Sequence, residues 1–158
     1  DNSRYVPALR FHVLTPAYDL IVRATTRENV FKQALIEQAA LHDCQRVLDV
    51  ACGTGTLAIR IKQCHPRLEV LGIDGDANIL EIASRKAARA QAEVRFDLGL
   101  SYQLPYPDDN FDRIVSSLFF HHLSWNDKLR TSRELFRVMK PGGQLHVADW
   151  GRATGPLM

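Results

Sequence analysis

The sequence has little cysteine, little methionine and no apolar run long enough to cross a bilayer. Three of its 158 residues are cysteine, Cys44, Cys52 and Cys64, and two are methionine. Those spacings match no CxxC or zinc-ligand pattern, and an odd count leaves no complete disulfide framework. A zinc-centred or disulfide-stapled fold is excluded, no metal is expected, and a reducing compartment, the cytoplasm, is expected instead. No signal-peptide pattern or integral membrane segment is visible. Charge of one sign is also missing: the net charge is +2 and the pI near 8.5, with Lys and Arg scattered. The densest basic group is Arg85, Lys86 and Arg89. It reads as a solvated helix face, so no nucleic-acid partner is expected. There is no internal repeat and no low-complexity linker.

What is present suits an ordinary globular domain: 46% hydrophobic and 24% charged residues, in a length that buries a core without metals or disulfides. The chain reads as a single domain over 1–158. Residues 1–42 form a helical lid and 43–158 the core. Residues 5–24 mix aromatic and aliphatic side chains between Pro7 and Pro16, as one or two short helices. Thr25 to Glu28 has the form of a capping box. The helix behind it aligns Val30, Phe31, Ala34, Leu35, Gln38 and Leu41.

Strands and helices then alternate. Strands are expected at Arg46–Val50, Leu68–Ile73, Glu93–Leu98, Phe111–Ser117 and Gln144–Trp150. Helices are expected at Leu57–Cys64 and Ala77–Ala90, and from an Asn126 cap to about Met139. Gly99–Asn110 is loop, and Pro141-Gly142-Gly143 turns the chain into the last strand. This alternation predicts an α/β, doubly wound parallel sheet with helices on both faces. Ligands of such sheets bind beyond the carboxyl ends of the strands.

The candidate chemistry falls at those ends. Val47-Leu48-Asp49-Val50-Ala51-Cys52-Gly53-Thr54-Gly55 leaves the first strand through small residues, which allow close backbone approach, and opens a helix whose N–H groups face a ligand. Gly53 to Ala58 also satisfies the dinucleotide pattern G-x-G-x-x-A, and Asp74 stands about 20 residues further on, as a ribose carboxylate does. The loop therefore admits two cofactor classes. Asp49 discriminates between them, because its carboxylate repels a pyrophosphate and attracts an ammonium group. Asp74 is an acceptor-only group suited to ribose hydroxyls, whereas Asp76 fits a helix cap. Asp97 is out of register with the site.

Together, VLDVACGTG, GIDGD, LPYPDDNFDRIVSSLFFHHL and RELFRVMKPGGQLHVADW resemble the core of class I S-adenosylmethionine (SAM)-dependent methyltransferases. The likeness is to the branch of ubiquinone/menaquinone C-methyltransferase-like enzymes acting on small molecules, and it covers about residues 45–150. The resemblance implies SAM as cofactor, a strand order of 3-2-1-4-5 and a small-molecule acceptor. It places Asp49, Ala51, Cys52 and Gly53, with Gly55 behind them, around the methionine end. Asp74 falls on the ribose, Gly75, Gly99 and Leu100 along the adenine, and Ser117 near the sulfonium. Leu100 departs from the Asp more usual after Gly99, and Ala51 from a more usual glycine, a tolerable change if its dihedrals are ordinary. His122 and Tyr18 are the catalytic candidates, with His12 a further base, while His121 reads as structural. The family's usual core continues past the fifth strand with a helix and two antiparallel strands, which are absent from this sequence. The fifth strand is then an edge, and a homodimer through it, or a truncated chain, is expected. The competing readings are a non-catalytic SAM-binding module and an NAD(P)-dependent oxidoreductase.

Overall fold

A strand inside a parallel sheet is covered on both faces and needs apolar residues at successive positions. Arg46–Val50 meets that need, with Val47, Leu48 and Val50 fully buried. A computed structural model describes residues 28–42 and 45–150. Its elements are α1 (Glu28–Gln38), β1 (Arg46–Val50), α2 (Thr56–Cys64), β2 (Glu69–Asp74), α3 (Ala77–Arg89), β3 (Val94–Leu98), β4 (Phe111–Ser117), α4 (Trp125–Val138) and β5 (Met139–Ala148), with a 3-10 turn at Phe120–His122. The five strands are parallel, in the order β3-β2-β1-β4-β5. This is the order expected from the sequence. The chain winds outward from β1 to β3, then returns to β4 on the other side. The reversal opens a crevice at the carboxyl ends of β1 and β4.

Alternation along the strands divides the core. Val47, Val70 and Val115 face Leu35 and Ile36 of α1, Ala39 just past it, and Leu57, Ala58 and Ile61 of α2. Leu48, Leu71, Ile73 and Ile114 face Leu135 and Val138 of α4 and the loop residues Leu104 and Tyr106. Helices thus cover both faces.

Three local expectations are corrected. The buried stripe of α1 runs through Glu28, Lys32, Leu35 and Ile36, while Val30 is 64% exposed. Glu28 and Lys32 neutralise each other at 2.5 Å, so burial follows a charged pair that hydrophobic periodicity cannot see. Helix α4 is capped by Ser124, which accepts from Asp127 N at 3.2 Å and donates to Asp127 Oδ2 at 2.7 Å. Asn126 lies inside the first turn, and the S-x-x-D pattern was the better signal. Finally, β5 begins at Met139, opposite Phe111, and resumes opposite Arg113 at Gln144. Pro141 to Gly143 therefore loop out within the strand, with Gly142 at φ +78°, instead of preceding it.

The irregular segment after β3 is pinned to α4. Glu134 accepts from Leu104 N at 2.8 Å, and Arg137 donates to the carbonyls of Leu104 and Tyr106 and to Asp108. Glu134 and Arg137 also pair with each other. Arg137→Ala leaves three acceptors unpaired. It is expected to cost about 1–2 kcal/mol, the upper end discounted for partial exposure, and to lower Tm by about 2–8 °C in a melt followed by circular dichroism.

Candidate functional site

Asp49 lies within β1, yet its side chain is 1% exposed. One carboxylate oxygen accepts from Ala58 N at 3.2 Å, in the first turn of α2. The other is buried and has no hydrogen-bond partner among the described residues. Burial pushes the Asp49 pKa up to about 7, with Lys32 and the Ala58 N–H pulling it down and Asp74 pushing it up. A buried acceptor left unpaired costs about 1–3 kcal/mol, so the fold carries a group that a cationic ligand would satisfy.

From Val50 the chain turns through Ala51, Cys52, Gly53 and Gly55. Ala51 sits at φ +56°, Gly53 at +54° and Gly55 at +73°. Ala51 therefore does not have ordinary dihedrals: an L-residue is held in the left-handed region, where its Cβ crowds the following carbonyl. A Cβ on Gly53 would meet nothing within 4 Å, so this backbone borders open space, whereas one on Gly55 would stand 2.7 Å from the Phe96 ring. Gly53 thus leaves room for a ligand to approach, and Gly55 is the point where α2 packs on the sheet. Cys52 ties β1 to β2 through Cys52 N donating to Ile73 O at 3.0 Å. Its thiol is buried, and burial with the charges of Asp49 and Asp74 pushes its pKa well up. It is a packing group with no nucleophilic role.

Asp74 ends β2 and joins the two loops. One oxygen accepts from Gly53 N at 2.9 Å and the other from Asp76 N at 3.1 Å. Burial raises its pKa, opposed by those N–H groups. A carboxylate has about four lone-pair sites, so the backbone N–H groups of Gly53, Asp76 and Gly75 leave acceptor capacity for a ribose hydroxyl. Asp76 caps α3 through Asn78 N and Ile79 N, and Gly75 lies half-buried between the two aspartates. Lys86 of α3 reaches back to Thr56 at 2.5 Å and Thr54 at 3.4 Å, clamping the glycine loop. That role corrects its reading as solvated surface.

At the next strand ends, Gly99 N donates to Asp74 O at 3.0 Å, and half-buried Leu100 closes a turn with Gln103. Asp97 is occupied by Tyr106 and Arg95, a structural role. Half-buried Ser117 pairs with Ala148 at the last rung of β4. Its neighbour Ser116 donates to Val50 O at 3.0 Å, a brace between β4 and the β1 exit that the sequence did not reveal. Leu118, at φ +54°, reverses the chain and leads into the turn carrying His121 and His122. Their rings are in contact, with centroids 3.9 Å apart and planes tilted by 42°. Burial and the neighbouring His121 push the His122 pKa down. His121 contacts Asp149, at 2.5 Å between Nδ1 and Oδ1. Asp149 and Lys32 escaped the sequence reading, although an acid just past a strand end was a usable signal. Tyr18 and His12 lie outside the described residues, as does Thr25 of the expected capping box. Among the described residues no cluster of three or more His, Cys, Asp or Glu is arranged to hold a metal, and no helix is long and apolar enough to cross a membrane.

A doubly wound sheet with acidic groups at the ends of β1 and β2 and an open glycine turn between them is a Rossmann-like, nucleoside-type binding site. A methyltransferase-domain family profile matches residues 47–143. The demethylmenaquinone methyltransferase of Deinococcus radiodurans is 36% identical over 142 residues, covering 89% of this chain and 58% of that protein. A SAM-dependent methyltransferase from Aquifex aeolicus superposes with a TM-score of 0.68 at 27% identity, covering 79% of this chain and 68% of that one. The cyclase SpnF does so with a TM-score of 0.69 at 32% identity, covering 74% and 43%. The chain belongs to the methyltransferase-domain family, of the class I, Rossmann-like SAM-binding type. It spans about three-fifths of the length of the curated relatives it matches.

The residues present fit SAM. The unpaired Asp49 oxygen suits the ammonium of its methionine end, and Asp74 suits the ribose. A pyrophosphate at the same turn would face the Asp49 carboxylate.

Three outcomes are expected. For a buried acid whose pKa is raised, folding is penalised above the unfolded pKa of about 3.9, and the penalty grows until pH passes the folded value near 7. Asp49→Asn should therefore stabilise the ligand-free protein at pH 8 and leave it little changed at pH 4, as read from Tm. Ala51→Gly should be neutral or stabilising within about 1 kcal/mol, because lost strain offsets added unfolded-state entropy. Ala88→Gly, on the exposed face of α3, should cost about 0.5–1 kcal/mol.

Proposed function

We propose that this chain binds SAM and transfers its methyl group to a small, apolar or amphipathic acceptor. The observation that carries the proposal is the pairing of an unpartnered buried Asp49 oxygen with Asp74 across an open Gly53 turn. An ammonium suits the first and a vicinal diol the second, and a nucleoside–amino acid cofactor carries both groups. In this reading Asp49, Ala51, Cys52 and Gly53 surround the methionine end, with only the backbone of Cys52 exposed to it. Gly55 seats the helix, Asp74 takes the ribose, Gly75, Gly99 and Leu100 flank the adenine, and Ser117 borders the sulfonium. His122 lines the acceptor mouth, and Tyr18 is kept as the second catalytic candidate.

Bound SAM supplies an activated methyl carbon. The protein contributes orientation, exclusion of water and field, and takes up a proton where the acceptor must lose one. The names of the Deinococcus and Thermus relatives, demethylmenaquinone methyltransferases, support a quinol-type acceptor, with reaction in the cytoplasm. The outer edge of β5 exposes Leu145 and Val147. Unpaired edges attract partners, and we assign this edge to a homodimer contact. A second reading, a SAM-binding module without methyl transfer, is supported by the likeness to SpnF, which is named as a cyclase.

Calorimetric titration with SAM and with NADH tests the cofactor. Micromolar SAM affinity, at least about ten-fold weaker in Asp74→Ala, is expected, from the loss of about 1.5–3 kcal/mol of charge-assisted hydrogen bonds. Binding of NADH instead would hand the site to oxidoreductase chemistry. SAM binding without a methylated product across quinol and phenol acceptors would favour the second reading. Unchanged turnover in His122→Ala would remove His122 from the acceptor site.

A further inference from the structure

The strand order decides where the acceptor must sit. The cofactor cradle occupies the ends of β1 and β2, so the methyl end points across β4, and β5 lies beyond it. The groups at the β4 and β5 exits therefore face the acceptor. There the chain leaves β4 through left-handed Leu118, whose N–H donates to Ala148 O at 2.8 Å. The turn that follows brings His121 onto Asp149, the first residue past β5. One Asp149 oxygen accepts from His121 N at 3.0 Å, and the other meets His121 Nδ1 at 2.5 Å and Trp150 N at 2.7 Å.

We propose that His121, oriented by Asp149, is the proton acceptor for a hydroxyl-bearing methyl acceptor; this rests on the methyltransferase reading above. A carboxylate only accepts, so the Nδ1 bound to Asp149 carries the proton and Nε2 keeps its lone pair. No described residue hydrogen-bonds that Nε2. Burial pushes the Asp149 pKa up, but the His121 and Trp150 hydrogen bonds outweigh it and hold the group ionised. The side chain of Asp149 is only 13% exposed, which keeps its charge close to the imidazole. His122 differs: no described carboxylate hydrogen-bonds it, and its ring lies tilted against that of His121. It forms a wall of the mouth, whereas His121 holds the base.

The proton inventory closes. His121 Nε2 takes the acceptor's hydroxyl proton as the acceptor's oxygen, or the ring carbon conjugated to it, bonds to the methyl carbon. The electron pair of the breaking C–S bond stays on sulfur, which leaves as a neutral thioether. The positive charge lost from sulfur reappears on the imidazolium, beside Asp149. Where carbon is methylated, the ring C–H proton leaves to solvent water in the following rearomatisation, and the His121 imidazolium returns its proton to the acceptor oxygen, so that one proton in all is released. Asp149 is a positioning residue and acts only through His121.

The test uses the full chain labelled with 15N-histidine and saturated with S-adenosylhomocysteine. Nitrogen chemical shifts should show His121 as the Nδ1–H tautomer, and Asp149→Ala should move it toward Nε2–H. In parallel, initial rates are measured with SAM and a reduced naphthoquinone bearing an unsubstituted ring carbon. His121→Gln should lower kcat about 100-fold or more, the range of a general base, with SAM affinity within two-fold of wild type. His122→Gln should lower it less than about ten-fold, well below that range. Absence of SAM binding in the wild type overturns the methyltransferase reading. Intact SAM binding together with an Nε2–H tautomer, or with a wild-type rate in His121→Gln, overturns the assignment of His121.

Discussion

A carboxylate buried at the end of the central strand, with one oxygen unpaired, sets the terms for the rest of the structure. Asp49 is almost wholly removed from water and receives one backbone hydrogen bond, from Ala58. In an isolated fold that arrangement is unfavourable. It persists because the strand around it is locked on both sides, to β2 and to β4. Positive charge from Lys32, itself buried with Glu28, softens the penalty. The helix α1 that supplies Lys32 is therefore part of the electrostatic surroundings of the site as well as its cover.

Strain is distributed in the same way. Ala51 and Leu118 are L-residues in the left-handed region, and both stand where the chain leaves a central strand toward the crevice. Each costs about 1–2 kcal/mol, of the size commonly held at functional sites. The return is geometric. Ala51 swings the glycine turn so that Gly53 can bond Asp74, and Leu118 swings the histidine turn onto Asp149. Two reversals of the same kind thus shape the exits of β1 and β4, the sides of the cleft assigned in the proposal to cofactor and acceptor.

Much of this was legible in the sequence. Strand-like runs alternating with helical ones gave the five strands and their parallel arrangement, and in β1, β2 and β4 burial on both faces calls for successive apolar residues. Small residues at 51, 53 and 55 and acids at 49 and 74 marked the crevice, because close approach and charge are properties of residue type. Less legible were features that depend on partners distant in the chain. The Glu28–Lys32 pair hid the true burial stripe of α1. Lys86 looked like surface until Thr54 and Thr56 were brought to it. The link from His121 to Asp149 spans two strand exits, so no local pattern announces it, and the reading of His121 as structural overlooked its carboxylate partner.

The central claim is that the ligand's ammonium meets an ionised Asp49 whose pKa is raised by burial. Titration of SAM from pH 5.5 to 8, in buffers of differing ionisation enthalpy, tests it most directly. Below about pH 7, where Asp49 begins protonated, binding should release close to one proton, and affinity should rise about ten-fold per pH unit. The gain should level off near pH 7 and reverse as the ligand's own α-amino group titrates, near 7.7–8.0. In Asp49→Asn the acidic limb should vanish. A wild-type affinity that is flat from pH 5.5 to 7, with no proton exchanged, would contradict the account.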